Sequence, residues 1–240
     1  MKLFFGDIFA EVKINEDEQQ HITKVLRMRE GEEIFLTDGK GNFAKGNLVF
    51  EGKKVGLNVV EIQENLPEFS PKLHIAIAPT KNIDRIEFFV EKATEMGISQ
   101  ITILNTEKTE RKNLNIDKLR KQAIAASKQS LRFHFPVVND VTKLSDFVKN
   151  IDASTTFVAH CDDAFERLEL NMLREPQHDK SMQTFKEITF LIGPEGDFSP
   201  NEIKMLAGKG IKAVSLGQQR LRTETAGVFV AAWNYYLLNA

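Results

Sequence analysis

The sequence predicts an α/β domain on a mostly parallel sheet, preceded by a small β-rich domain. Two observations carry this expectation. After Pro71, short apolar runs alternate with helical segments: "LHIAIA", "QITIL", "TFVA", "ITFLI" and "KAVSL" have the continuous apolar character of buried parallel strands. Before Pro71, "EEIFLT", "NFAKGNLVF" and "KVGLNVVEI" follow one another closely as strands, which suggests a small barrel or sandwich.

In chain order, a first short helix is expected near "DEQQHITKVLRMR", where Ile22, Val25, Leu26 and Met28 roughly keep helical spacing. "DGKG", Asp38 to Gly41, supplies hairpin chemistry between the first two of the three strands. "ENLPEFSP", Glu64 to Pro71, has two prolines and no periodicity and reads as the linker. The expected domains are therefore residues 1–70 and 71–240. Beyond the linker, "IDRIEFFVEKATEMG" is a helix stopped by Gly97, "DKLRKQAIAASKQS" is a second, and the final stretch is a third. "EPQHDKSMQ", Glu175 to Gln183, is a polar loop and the segment expected to be disordered.

Composition narrows the classes. The chain has 240 residues, 42% apolar and 28% charged, which is ample for a core. A net charge of −2 does not advertise nucleic-acid binding, so any anionic partner must meet a local patch. The one cysteine, Cys161, allows no intrachain disulfide and no cysteine metal cluster, and suits a reducing cytoplasm. The five histidines show no ligand spacing, so no metal is expected. "MKLFFGDIFAEV" is broken by Gly6 and Asp7 and is not read as a signal peptide. Thr225 to Ala240 is uncharged but spans 16 residues, short of the roughly 20 a membrane helix needs; a buried or subunit-facing helix is expected.

The turn in "LIGPEGDFSPNEI" carries more special residues than a connector needs. Ser199 to Glu202 is a capping box with Pro200 at the first helical position, so the helix begins near Pro200 and "GPEGDF" is a loop at the carboxyl end of a strand. A second strand ends at Leu216 and enters Gly217 and a charged turn before the last helix. Ligands of open α/β sheets sit at the carboxyl ends of strands, and glycine admits them close to the backbone. Neither loop is a dinucleotide fingerprint or a P-loop.

"LIGPEGDFSPNE" followed by "SLGQQRLRTETA" resembles the paired signature of the RsmE family, the 16S ribosomal RNA uracil-N3 methyltransferases. "HITKVLRMREGEEIFLTDGKG", "APTKNIDRIEFFVEKATEMGI" and "AASKQSLRFHFP" resemble its other motifs in order, so the likeness spans essentially the whole chain. It implies a SPOUT fold with a trefoil-knotted carboxyl-terminal segment and a PUA-like β-barrel in front. It further implies S-adenosyl-L-methionine as methyl donor, ribosomal RNA or the small ribosomal subunit as partner, and a homodimer; the alternatives are another SPOUT RNA methyltransferase with a different RNA target and a non-catalytic RNA-binding module. The chain departs from the family where Asp197 replaces a glycine and where Gln219 and Arg220 replace an arginine and an isoleucine.

On that likeness the expected catalytic residues are Arg222, Glu195 and Glu224. Cofactor contacts are expected at Leu191, Gly193, Pro194, Glu195, Gly196, Leu216, Gly217, Leu221, Arg222, Thr225 and Ala226. Arg222 competes with a structural role, pairing with Glu224 or Glu195. For RNA, the stretch from Lys108 to Arg132 carries a local net charge of +6 in a chain otherwise at −8. Lys81, Arg111, Lys128, Gln129 and Arg132, with Lys24, Arg27 and Arg29 on the small domain, are the expected RNA contacts.

Overall fold

A computed structural model describes residues 1–9, 12–52, 54–111, 113–161, 166–173 and 185–238, with only the backbone at 171, 172, 237 and 238. The polar loop at 175–183 lies outside the described residues. Two compact units emerge. One comprises Met1–Glu68 with Ile124–Phe135, the other Phe69–Ala123 with Pro136–Ala240.

The first unit holds β1 (Leu3–Asp7), β2 (Lys13–Ile14), α1 (Glu16–Gln20), a π-helical turn at His21–Val25, β3 (Glu33–Thr37), β4 (Phe43–Glu51) and β5 (Lys54–Gln63). Their order in the sheet is β2-β1-β3-β4-β5, with β1 and β3 parallel and the other pairs antiparallel. The sheet curls until β2 meets β5, a half-barrel around Phe4, Ile8, Ile14, Ile22, Ile34, Leu36 and Leu48. The hairpin expected at Asp38–Gly41 is present: the Asp38 carboxylate accepts from the amides of Lys40 (2.8 Å) and Asn42 (3.3 Å).

A boundary drawn along the sequence near residue 70 leaves 124–135 in the second domain, whereas this segment packs in the first unit. The reason is aromatic. Phe133 stacks on Phe43 at 4.7 Å and Phe135 lies 5.2 Å from Phe5. The Phe135 amide donates to the carbonyl of Gly39, and the Gly41 amide donates to that of Phe133.

The second unit contains β6 (Lys72–Ile77), α2 (Ile83–Glu95), β7 (Gln100–Asn105), the start of α3 (Ile116–Gln129), β8 (Val137–Lys143), the short α4 (Leu144–Phe147), β9 (Thr156–Ala159), β10 (Leu168–Glu169), β11 (Glu187–Ile192), α5 (Pro200–Gly208), β12 (Lys212–Ser215) and α6 (Thr223–Leu238). Its sheet is parallel at every pair, in the order β10-β12-β9-β11-β6-β7-β8. Alternate residues of each strand feed opposite faces. Leu73, Ile75 and Ile77 of β6, with Ile188, Phe190 and Ile192 of β11, pack with Phe89 and Val90 of α2 and Val230 of α6. Ala76 and Leu191 pack the other way, with Leu144, Ile203 and Leu206. The α/β expectation, a mostly parallel sheet behind a small β half-barrel, is met. Gly97 ends α2 as expected, at φ +88°.

β12 follows β11 in sequence yet lies beyond β9, so α6 must return across β11 to reach β6 and α2. Among the described residues no helix is long and apolar enough to cross a membrane.

One buried polar group sets a pH dependence. His74 of β6 is 6% exposed, and its Nε2 lies 2.8 Å from the Thr102 hydroxyl, which also accepts from Asn139. Burial pushes its pKa down to about 4. The unfolded imidazole takes its proton near pH 6.5, the folded one only near 4, so the stability held by neutral His74 is complete above 6.5 and is lost as pH falls toward 4. The loss reaches about 3 kcal/mol across that window. Chemical denaturation of wild type and His74→Asn over pH 4 to 7 measures it: the wild-type curve falls more steeply below pH 6.5, and parallel curves exclude the assignment.

Candidate functional site

The carboxyl ends of β9, β11 and β12 open onto one cavity of about 720 Å³, within the range of roughly 300–1,000 Å³ usual for small-molecule sites. Three loops form its walls: His160 and Cys161 after β9, Gly193 to Phe198 after β11, and Leu216 to Arg222 after β12. Ala159, Ile192, Val214, Leu216, Leu221 and Ala226 supply an apolar lining, and Arg85, Lys108, Arg167, Glu195, Asp197, Arg220 and Arg222 supply the charge.

The loops are shaped locally first. Ser199 and Glu202 close the capping box in both directions, Ser199 Oγ accepting from the Glu202 amide at 3.1 Å and Glu202 Oε2 accepting from the Ser199 amide at 2.8 Å. Glu202 is buried, and its other oxygen accepts from the Glu107 amide at 2.8 Å, joining α5 to the loop after β7. A Cβ on Gly193 would stand 3.1 Å from the Phe198 ring and amide, tighter than an ordinary contact, so a side chain there requires Phe198 to yield by a few tenths of an ångström. Gly217 sits at φ +122°, a backbone that only glycine adopts without strain.

Long-range contacts then hold the loops together. The Thr223 hydroxyl at the start of α6 donates to the buried carbonyl of Gly193 at 3.0 Å, joining the two glycine loops. Lys108 Nζ donates to the carbonyls of Gly196 (2.8 Å) and Phe198 (3.2 Å). From α2, Arg85 Nη1 meets Glu195 Oε1 at 2.9 Å while its Nε lies 3.7 Å from Glu224 Oε1. Glu224 is buried, and its second oxygen has no hydrogen-bond partner among the described residues.

Gly193, Pro194, Glu195, Gly196, Leu216, Gly217, Leu221, Arg222 and Ala226 all line the cavity. Leu191, Thr225 and Glu224 are not part of this lining: Leu191 points into the core beside Phe198, Thr225 is exposed, and Glu224 faces Arg85. The ion pair that the sequence offers to Arg222 is taken by Arg85 instead. Arg222 stays exposed at the cavity wall with no side-chain ion pair or hydrogen bond to a described residue. Arg85, Lys108, His160 and Cys161 were not among the sequence candidates for this pocket. Their partners lie far along the chain, 110 residues away for Arg85 and 88 for Lys108, so no local spacing announces them.

Of the basic stretch, Arg120 is engaged by Asp117 and Asp140, Lys118 by Glu87, and Lys128 by the buried Glu18 of its own unit; outside it, Lys81 pairs with Glu110. Arg111 donates to the Lys81 carbonyl. Arg132 is 8% exposed, and burial lowers its pKa to about 10. Gln129 ends α3. Lys24, Arg27 and Arg29 are exposed beside the π-helical turn, with Val25 and Leu26 exposed among them.

The chain matches the RNA methyltransferase domain family over residues 67–234 and the RNA methyltransferase PUA domain over residues 14–54. It is 28% identical over 229 residues to ribosomal RNA small subunit methyltransferase E of Rickettsia conorii, covering 93% of this chain and 88% of that one. Among solved structures it is similar to a "probable rRNA-methyltransferase" of Porphyromonas gingivalis, with a TM-score of 0.86, 32% identity, and coverage of 100% of this chain and 99% of that one. It is also similar to a Legionella pneumophila protein described as a methyltransferase and solved with the cofactor SAM, with a TM-score of 0.84, 25% identity, and coverage of 99% and 98%. The resemblance carried by the two glycine motifs thus leads to the same place as the fold and the cavity: this chain belongs to the RNA methyltransferase domain family.

Proposed function

We propose that this protein transfers a methyl group from S-adenosylmethionine to N3 of a uridine in small-subunit ribosomal RNA, in the cytoplasm. The observation that carries the reading is the convergence of two glycine loops on one cavity with an arginine, Arg222, at its wall that has no ion pair among the described residues. The lining fits a nucleoside with a charged tail: apolar side chains for the ring system, and cationic side chains for the polar end. When bound, S-adenosylmethionine supplies an electrophilic methyl on a sulfonium centre.

The protein's share is position and charge. Uracil N3 must lose its proton before it can attack, and the anion spreads onto the two ring carbonyls, so the site needs a proton acceptor and a cation. Arg222 is the cation that stabilises the uracil anion. Glu195, which lines the cavity and uses one oxygen on Arg85, is the acceptor. Glu224 acts from behind, holding Arg85. Holding the reacting atoms in line is worth about 7–11 kcal/mol of barrier in favourable cases, and the fastened loops are what provide it. The course of α6, back from beyond β9 across β11 to β6, supports the knotted path that the family resemblance implies.

The first unit serves as the RNA-holding domain through the turn at Lys24, Arg27 and Arg29, whose charges stay exposed while most of those between 108 and 132 are engaged within the protein. The chain acts as a homodimer through the uncharged face of α6, where Phe229 (43%) and Tyr236 (71%) remain exposed.

Four measurements test these readings. Mass mapping of ribosomal RNA methylated by the purified protein finds one N3-methyluridine; Arg222→Ala lowers kcat at least ~100-fold, as removal of one transition-state charge stabiliser does, with folding intact. Full activity in that variant removes Arg222 from the mechanism. Replacing Lys24 and Arg27 by alanine weakens RNA binding and reduces the slope of log K against log salt by about 1–2, and an unchanged slope sends the RNA elsewhere. Phe229→Glu shifts the sedimentation equilibrium from dimer to monomer, and a wild-type monomer at micromolar concentration excludes the dimer.

A further inference from the structure

The loop after β11 contains a residue whose backbone and side chain are at odds with a simple connector. Asp197 lies at φ +60°, in the left-handed region that side chains enter at a cost, although it is not a glycine. Its amide donates to the Pro194 carbonyl at 2.9 Å, closing a tight turn, and its Oδ1 accepts from the next amide, Phe198, at 2.7 Å. Neither bond needs a long reach. Its other oxygen does something different: Oδ2 accepts from the amide of Cys161 at 2.8 Å, across 36 residues of sequence.

That bond joins two walls of the cavity. Cys161 leaves β9 and Asp197 leaves β11, neighbouring strands in register from Thr156 against Thr189 to Ala159 against Ile192. Ladder pairing stops at the strand ends, so above them only side chains can fix the gap between the exit loops. Lys108 secures the β11 loop from one side, through Gly196 and Phe198, and Thr223 secures it at Gly193. Asp197 is the tie to the β9 loop. His160, Cys161, Gly196 and Asp197 all line the cavity, so the length of this bond sets the local width of the cleft.

We propose that Asp197 is a positioning residue for the methyl donor: its carboxylate fastens the β9 exit to the β11 loop and presets the cleft to the width the donor requires. This rests on the reading that the cavity takes S-adenosylmethionine. The left-handed backbone is the geometric condition for it. In that conformation the carboxylate reaches its neighbouring amide with one oxygen and the Cys161 amide with the other, so the strained φ and the tie come together.

The test compares Asp197→Gly, which keeps the left-handed backbone and removes the carboxylate, with Asp197→Asn, which tolerates that backbone and keeps one acceptor oxygen. S-adenosylmethionine affinity is read by calorimetry, the reaction by KM and kcat for each substrate, and folding by the thermal midpoint. Asp197→Gly weakens S-adenosylmethionine binding by about 10-fold, the order expected for one charge-assisted hydrogen bond, and Asp197→Asn by less. KM for the donor rises with the dissociation constant, while kcat at saturation, KM for RNA and the thermal midpoint stay near wild type. Binding by Asp197→Gly within about two-fold of wild type overturns the proposal. So does a loss that appears equally in kcat, RNA KM and thermal midpoint in both variants, because that is general damage. A wild-type protein that binds no S-adenosylmethionine defeats the reading of the cavity itself, an outcome seen before any variant is made.

Discussion

The hydroxyl of Thr223 on the carbonyl of Gly193 is the contact on which the carboxyl edge of the large sheet depends. A buried carbonyl without a partner costs about 1–3 kcal/mol, so the Gly193 loop keeps its shape only where α6 begins beside it. The same logic recurs around the rim. The carbonyls of Gly196 and Phe198 take their donors from Lys108, and the amide of Glu107 takes its acceptor from Glu202. Each wall is held by a side chain from a distant element. The loops that line the cavity are thereby held in fixed relation to one another.

This division of labour explains what the sequence could and could not disclose. The capping box from Ser199 to Glu202 is local: four consecutive residues contain both halves of the motif, and it was readable directly. The lining at Gly193, Gly196, Gly217 and Arg222 was readable because glycine-bearing turns after apolar runs have few uses in an open sheet. Arg85 and Lys108 were not readable as pocket residues. One sits on an ordinary amphipathic helix and the other in a charged loop, and only the fold brings them to Glu195 and Gly196.

The strands that escaped the sequence pattern did so for physical reasons. β1 is a short apolar run ending in Gly6 and Asp7, and a Cβ at Gly6 would stand 2.1 Å from the carbonyl oxygen of Lys13, so the glycine is what permits pairing with β2. β8, "VVNDVTK", is an edge strand with most of its side chains partly or fully exposed, and it lacks the apolar run that marks its buried neighbours. The basic stretch illustrates the opposite error, a signal present in the sequence and altered by the fold. Its charge sum is real, yet Lys118, Arg120 and Lys128 meet carboxylates of the same molecule, which a running total of residues does not register.

The placement of β12 between β9 and β10, with β11 already set on the far side of β9, has a kinetic consequence. Parallel pairs between remote segments are slow to form because loop closure precedes any gain from contact. β12 has no edge to join until β9 is in place, and β10 can pair only once β12 has been laid down. The cavity walls are therefore completed late in assembly. A small molecule that needs all three walls recognises only finished molecules, and by mass action its presence draws the population toward the completed fold.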